Sequence, residues 1–475
     1  MSAVSAEETL ERIGIAWTEG RLENVLERQK QLAFLHKAVR KHFDDIIRAI
    51  QQDQKRSTDI AAIELVNVLD TINALYERVD FHDVLAKEQD LKNGGSFASF
   101  LVPRGAALVV QLSSSPLIST LGPLAAALAA GSPTVILGSS KLTATNEILQ
   151  QIILDSLDRE AFHFEKNTDS SAAQAFTQQP YATAILPDLQ AREMFGPLVV
   201  SKNMSIRLIE PYYGVPAGII DRSYTGPFEQ VVGHICRTTP GDSTCNPLRV
   251  PRLFFVDESI ISAFKIACRS RQEGTGPDLE DLLRKYYTGY TPRFSGSRER
   301  QRGLNTELAM SENIATITLT SGPEIVLIPT TSLDNSIDML NKINAGTGSQ
   351  ALYIFAGRKE ALYLGSFITT SHVFINEIPL SSLVATSPRT AQVTPSQGYH
   401  VEDFSETKTL TVLASVPTDS VKKPSNLNEQ RVKQHQGGRM SYFEQGLILG
   451  AALGLVTLSS LTYFSYQGVR TYLER

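Results

Sequence analysis

The stretch ALVVQLSSSPLISTLGPLAAALAAGSPTVIL, residues 107–137, limits the possible folds more than any other part of this chain. Its two end runs, ALVVQL and TVIL, are apolar without alternation, which suits strands buried on both faces. Between them, SPLISTLGPLAAALAAGSP supplies a helix of small residues that can pack closely on its neighbours. Strand, helix and strand in that order make a parallel unit. The alternation continues with strand-like runs at ATAIL near 185, SIRLIE near 208, GIID near 221, LFFVD near 256, ATITL near 318, EIVLIP near 327, ALYIFA near 355 and HVFINE near 375. This order predicts an α/β protein with parallel sheets.

Upstream, Val25, Leu32, Leu35, Val39, Phe43, Ile46, Ile47 and Ile50 recur at spacings of three and four, which predicts one long amphipathic helix over residues 22–50. A second helix, IAAIELVNVLDTINALYERV, follows Asp59, and SFASFLVPRGAALVVQL is β-rich. No internal repeat is visible.

With 475 residues, 42% of them hydrophobic, the chain can fill two or three cores. The formal charge of -5 comes with no basic stripe interleaved with aromatics, so nucleic acid is not an expected partner. Three cysteines, Cys236, Cys245 and Cys268, make no disulfide framework, and no His/Cys cluster has metal-ligand spacing. A reducing compartment and no metal are expected. The N-terminus MSAVSAEETLERIG is acidic where a secretion signal needs a basic patch and an apolar run.

The far end differs. From Gln445 to Val469 there is no charged residue, and at ~1.5 Å per residue this run is long enough to cross a hydrocarbon layer of ~30 Å. A core helix of a soluble domain would carry a polar stripe, which this run lacks. Gly450 and Gly454 have GxxxG spacing, and Tyr442, Phe443 and Tyr463 to Tyr466 stand at the two ends, where aromatic belts form. The preceding VKKPSNLNEQRVKQHQGGRM is polar and basic, a linker whose charge marks the cytoplasmic side. The expectation is a cytosolic body held to a membrane by its tail; endoplasmic reticulum, mitochondrial outer membrane and peroxisome fit equally.

Five segments, in order, carry a resemblance. PRGAALVVQLSSSPL from Pro103, AAGSPTVIL, SGPEIVLIPTTSLDNSIDMLNKINAGTGSQALYIF, TTSHVFINEIP and SQGYHVEDFSETKTL together resemble the aldehyde dehydrogenase superfamily. Within it, the chain is similar to the short fatty-aldehyde type with a C-terminal membrane anchor. The resemblance implies two Rossmann-like parallel-sheet domains and a bridging β hairpin, followed by one transmembrane helix. It places the dinucleotide-binding-like domain at 1–95 and 106–208 and the catalytic-like domain at 209–379. Bridging strands fall at 96–105 and 380–412, the linker at 413–441, the transmembrane helix at 442–466 and a tail at 467–475. It also implies a homodimer formed through the bridging strands, and NAD or NADP as cofactor.

Residue by residue, the resemblance maps as follows. Ser114 stands where the P-W-N-Y-P turn supplies an asparagine to the developing oxyanion, and loss of one such donor typically costs ~3 kcal/mol. Leu137 stands where a lysine holds the adenosine ribose. The F-T-G-S turn that approaches the pyrophosphate aligns with Ile185, Leu186, Pro187 and Asp188; proline removes an N–H and aspartate adds negative charge. Leu319 replaces the glutamate that binds the nicotinamide ribose.

Cys245 in GDSTC lies close to the nucleophile of G-Q-x-C. A thiolate there would add to an aldehyde carbonyl, expel hydride and leave a thioester; an unreactive loop thiol is the alternative. Glu210 lies one residue from the general-base position, which an ungapped match gives to Pro211, so the alternatives are a gapped base and a surface carboxylate. Asn376 and the Tyr399–His400 pair match framework positions.

Three functions follow. The first is a membrane-anchored aldehyde-dehydrogenase-like protein with lost or strongly reduced NAD(P)-dependent oxidation. The second is an active, divergent enzyme that oxidises hydrophobic aldehydes through Cys245, with Glu210 as base. The third is a membrane scaffold or adaptor.

Overall fold

The computed structural model describes residues 6–54, 56–94, 97–166, 175–177, 179–238, 249–251, 253–270, 326–344, 347–385, 398–411 and 442–473. Five helices open the chain: α1 (Ala6–Thr18), α2 (Val25–Lys41), α3 (Phe43–Gln54), α4 (Thr58–Arg78) and α5 (Phe81–Lys92). The expected single helix over 22–50 is thus two. The break is at His42 (φ -96, ψ 21), whose N–H still bonds to the Ala38 carbonyl. It lets α3 turn Ile46, Ile47 and Ile50 into the same core that α2 enters with Leu32, Leu35 and Val39. α5 buries none of its residues, so no apolar period announces it.

The first sheet is built from β2 (Ala107–Val110), β3 (Thr134–Leu137), β4 (Phe162–Glu165), β5 (Thr183–Ile185) and β6 (Arg207–Ile209), in the spatial order β4-β3-β2-β5-β6, all parallel. Helices α6 (Pro116–Ala130), α7 (Thr143–Ser156) and α8 (Leu189–Lys202) connect its strands. Successive strand residues face opposite layers. Ala107, Val109, Ile136 and Ile185 join the core shared with α2, α3, α4, α6 and α7. Leu108, Val110, Val135, Leu137 and Ala184 join the other, with α1 and α8. This two-sided burial is why the sequence shows unbroken apolar runs. All residues of α6 are buried, and its alanines allow the close approach of α4. Gly131 ends α6 at φ 94, a conformation that favours glycine.

The second sheet comprises β7 (Ala217–Ile220), β8 (Leu253–Asp257), β9 (Val326–Thr330), β10 (Ser349–Phe355) and β11 (Thr370–Ile375), ordered β11-β10-β7-β8-β9 and again parallel. It is covered by α9 (Phe228–Thr238), α10 (Ile261–Ser270), α11 (Leu333–Ile343), α12 (Arg358–Phe367) and the short α13 (Leu380–Val384). β1 (Phe97–Pro103) pairs antiparallel with β12 (Ser405–Thr411), joining residues near the start and end of the body in one two-stranded ribbon. The remaining helix, α14 (Tyr442–Leu473), contains Glu444–Gln467, 24 residues with a mean hydropathy of 1.8 and none of the span buried. By length and composition it can cross a bilayer; it is apolar all round, as a lipid-facing helix must be.

Candidate functional site at the carboxyl edge of the first sheet

Doubly wound sheets take their ligands outside the carboxyl ends of the strands, where the strand order reverses. In the first sheet that point lies between β2 and β5, since the chain runs outward through β3 and β4 on one side and through β6 on the other. Three turns face it.

The first turn follows β2. Ser115 is the N-cap of α6 but makes no capping bond through its side chain, and neither Ser114 Oγ nor Ser115 Oγ has a hydrogen-bond partner. The Ser113 carbonyl accepts from Gln54 Nε2. The amides of Leu117 and Ile118, freed at the start of α6, donate to Glu64 Oε1 at 2.8 and 3.1 Å. Glu64 comes from α4, and its other oxygen is paired with Arg56; both side chains are completely buried. Burial pushes the Glu64 carboxyl up, opposed by Arg56 and by the two amides.

The second turn follows β3. Leu137 is 2% exposed and packs against the α1/α8 layer, so a hydrocarbon closes this position. Gln111, just past β2, reaches across and accepts from Ser139 N at 2.7 Å, while Asn146 Nδ2 donates to the Ser139 carbonyl at 2.8 Å. The start of α7 is held by Asp53 from the end of α3: its two carboxylate oxygens accept from Ala144 N at 3.1 Å and Thr145 N at 2.7 Å.

The third turn follows β5. Leu186 and Pro187 are buried, and Asp188 is the N-cap of α8, accepting from Ala191 N at 2.7 Å. Beside it, Glu210 follows β6 and pairs with Arg192 of α8 at 3.2 Å, and the Arg192 guanidinium lies over the Tyr213 ring at 5.7 Å. The Tyr213 hydroxyl has no partner, and its pKa is pushed up by burial first and by Glu210 second. Pro211 is buried.

Ser114, Leu137 and Pro187 thus all lie at one edge of one sheet, with Glu210 beside them on the β6 side. Cys245 and Leu319 fall outside the described residues. Asn376 stands at φ 60, where asparagine is tolerated, and clamps β10 by bonds from Ala356 N and to the Ala356 carbonyl. Tyr399 packs beside Gly122 of α6, and the His400 amide donates to Asp403. These are framework roles. Asp53, Arg56, Glu64 and Gln111 are not singled out by motif spacing. One signal was available: Glu64 interrupts the apolar stripe Ala61, Leu65, Val68, Ile72, and a charge on a core stripe needs a buried partner.

Compared with known proteins, residues 7–186 match the model of the aldehyde dehydrogenase family. Among solved structures, the substrate-bound aldehyde dehydrogenase AldH of Staphylococcus aureus aligns over 95% of this chain and 100% of its own, at 14% identity and a TM-score of 0.65. The chain has the aldehyde dehydrogenase fold. A mutant of aldehyde dehydrogenase C from Pseudomonas syringae, in complex with NAD+ and octanal, aligns over 87% of this chain and 90% of its own, with 13% identity and a TM-score of 0.66. A lactaldehyde dehydrogenase aligns over 86% and 91%, with 14% identity and a TM-score of 0.65. No curated protein matches the chain by sequence. The family model thus matches the opening helices and the first sheet as far as β5, and the solved structures share the fold of the chain.

Proposed function

We propose that this is a membrane-anchored aldehyde-dehydrogenase-like protein whose NAD(P)-dependent aldehyde oxidation is lost or strongly reduced. The observation that carries the reading is the Asp188 carboxylate on the N-terminus of α8, the place the resemblance gives to the cofactor pyrophosphate. A helix N-terminus attracts phosphate through free amides and the helix dipole, and an internal carboxylate there uses an amide and repels the incoming charge. Neither the turn after β3 nor the residue before Asp188 fits a dinucleotide. Leu137 offers no donor, Pro187 no N–H, and the Gln111 side chain bridges β2 to the loop after β3. An active enzyme would also need Glu210 free as a base, whereas Arg192 holds it.

The test is calorimetric titration of the detergent-solubilised full chain with NAD, NADH, NADP and NADPH. No saturable binding is expected, and micromolar binding of any of the four would overturn the reading.

The anchor rests on the apolar span Glu444–Gln467. Alkaline carbonate is expected to leave the full chain in the membrane pellet, and to release a chain lacking residues 442–475. Release of the full chain would remove the anchor from the proposal.

A further inference from the structure

We infer that the N-terminus of α7 is an anion site which the chain fills with its own Asp53, and that Asp53 is the residue that keeps the crevice beside β3 closed to phosphate-bearing ligands. The inference rests on the reading of a lost cofactor and adds to it the residue responsible at this turn.

Three observations carry it. Leu142, the N-cap of α7, makes no capping bond with its side chain, so nothing in the local sequence satisfies the helix's first amides. Asp53 satisfies two of them from another element, with one oxygen on each, which is how a bound oxyanion would sit.

The third observation concerns side chains rather than backbone amides. Thr145 Oγ1, Asn146 Oδ1 and Gln111 Nε2 are buried at 0%, 1% and 5% exposure of their residues, and none of the three atoms has a partner. All three residues belong to this turn or to the strand end facing it. Buried hydroxyl and amide groups cost free energy when unpaired, so two donors and an acceptor left open beside two ligated amides describe a polar site filled only in part. The loop before the helix also brings the exposed Lys141 to the same end. Remove the carboxylate, and the amides of Ala144 and Thr145 are left as open donors for a tetrahedral oxyanion.

The residues that follow Asp53 meet the neighbouring turn. The next residue, Gln54, bonds to the Ser113 carbonyl, and two residues later Arg56 pairs with the Glu64 that caps α6. Residues 53 and 54 therefore bond to the segments that follow β3 and β2, respectively.

The experiment compares the full chain in detergent as wild type, Asp53→Ala and Asp53→Asn, titrated with inorganic phosphate by calorimetry and by melting. Asp53→Ala is expected to bind phosphate saturably, about tenfold tighter than wild type, and to regain part of its lost melting temperature as phosphate is added. Asp53→Asn, which keeps one acceptor and loses the charge, is expected to fall between the two, and it carries the comparison should the alanine variant fail to fold. A merely structural cap would lower the melting temperature and leave the phosphate response of all three proteins alike; that result overturns the inference. The NAD and NADP titration of wild type is read separately. Binding there would defeat the lost-cofactor reading whatever the phosphate series gives.

Discussion

Glu64→Ala is expected to destabilise the protein by about 4 kcal/mol, the range seen when one partner of a buried ion pair is removed. Two losses combine. Arg56 would be left as an uncompensated buried cation, and the Leu117 and Ile118 amides at the start of α6 would lose their acceptor inside a core with no water to replace it. Glu64→Gln keeps an oxygen for both amides yet still strands the guanidinium, so most of the cost should persist. Arg56→Met should behave differently with pH. Burial already pushes the Glu64 carboxyl up, and without Arg56 the acid can enter the fold protonated. A folded state that binds more protons than the unfolded chain loses stability as pH rises, so Arg56→Met should be closest to wild type in acid and fall behind it toward alkaline pH. Urea unfolding of the three variants between pH 5 and pH 8 measures this. A Glu64→Ala loss below about 1 kcal/mol, the value of an ordinary exposed ion pair, would mean that the pair does not hold α6 in place.

Asp403→Asn is expected to stabilise the protein at pH 8 by about 4 kcal/mol and to leave it almost unchanged near pH 4. Asp403 is 6% exposed in the turn before β12, and burial pushes its pKa up to about 7. The bond from the His400 amide and the charge of Arg207 pull it down, and Glu402 pushes it further up. The carboxyl of an unfolded chain titrates near ~4, so between there and pH 7 the folded state carries the extra proton and stability falls as pH rises. Asparagine retains an oxygen for the His400 amide and removes the charge.

The other titrating groups at this turn act with different signs. Burial lowers the pKa of His400, which costs stability in acid. For Glu402, burial is the largest single influence and raises the pKa, but the bond and charge of Arg78, a backbone N–H and the charge of His400 together outweigh it, so its pKa is lowered and its contribution is also lost in acid. The difference between variant and wild-type curves isolates Asp403 from both. A variant less stable than wild type at pH 8 would show that the carboxylate is needed in its charged form. The position has consequences beyond itself, because Arg207 Nη1 donates to the carbonyls of Glu402, Asp403 and Ser405 and so ties the base of the ribbon to β6.

Chain order and side-chain period determined a good deal on their own. The unbroken apolar runs at residues 107–110 and 134–137 can be buried only on both faces, which requires helices on either side and hence a parallel sheet. The lack of any charge from Gln445 to Val469 likewise marks α14 from composition alone. The side chains of Ser114, Leu137 and Pro187 are legible in the sequence because each limits the chemistry its position can offer, whatever surrounds it. What only the tertiary structure decided is which groups meet the amides at the helix starts. Asp53 lies 91 and 92 residues before the two amides it accepts from, and Glu64 lies 53 and 54 before its two, and no local spacing predicts such bonds. Helix ends need partners, but the need is met by whichever group the packing brings near. The sequence therefore shows which polar groups a turn can offer, while the folded chain alone shows its own carboxylates seated on the helix ends.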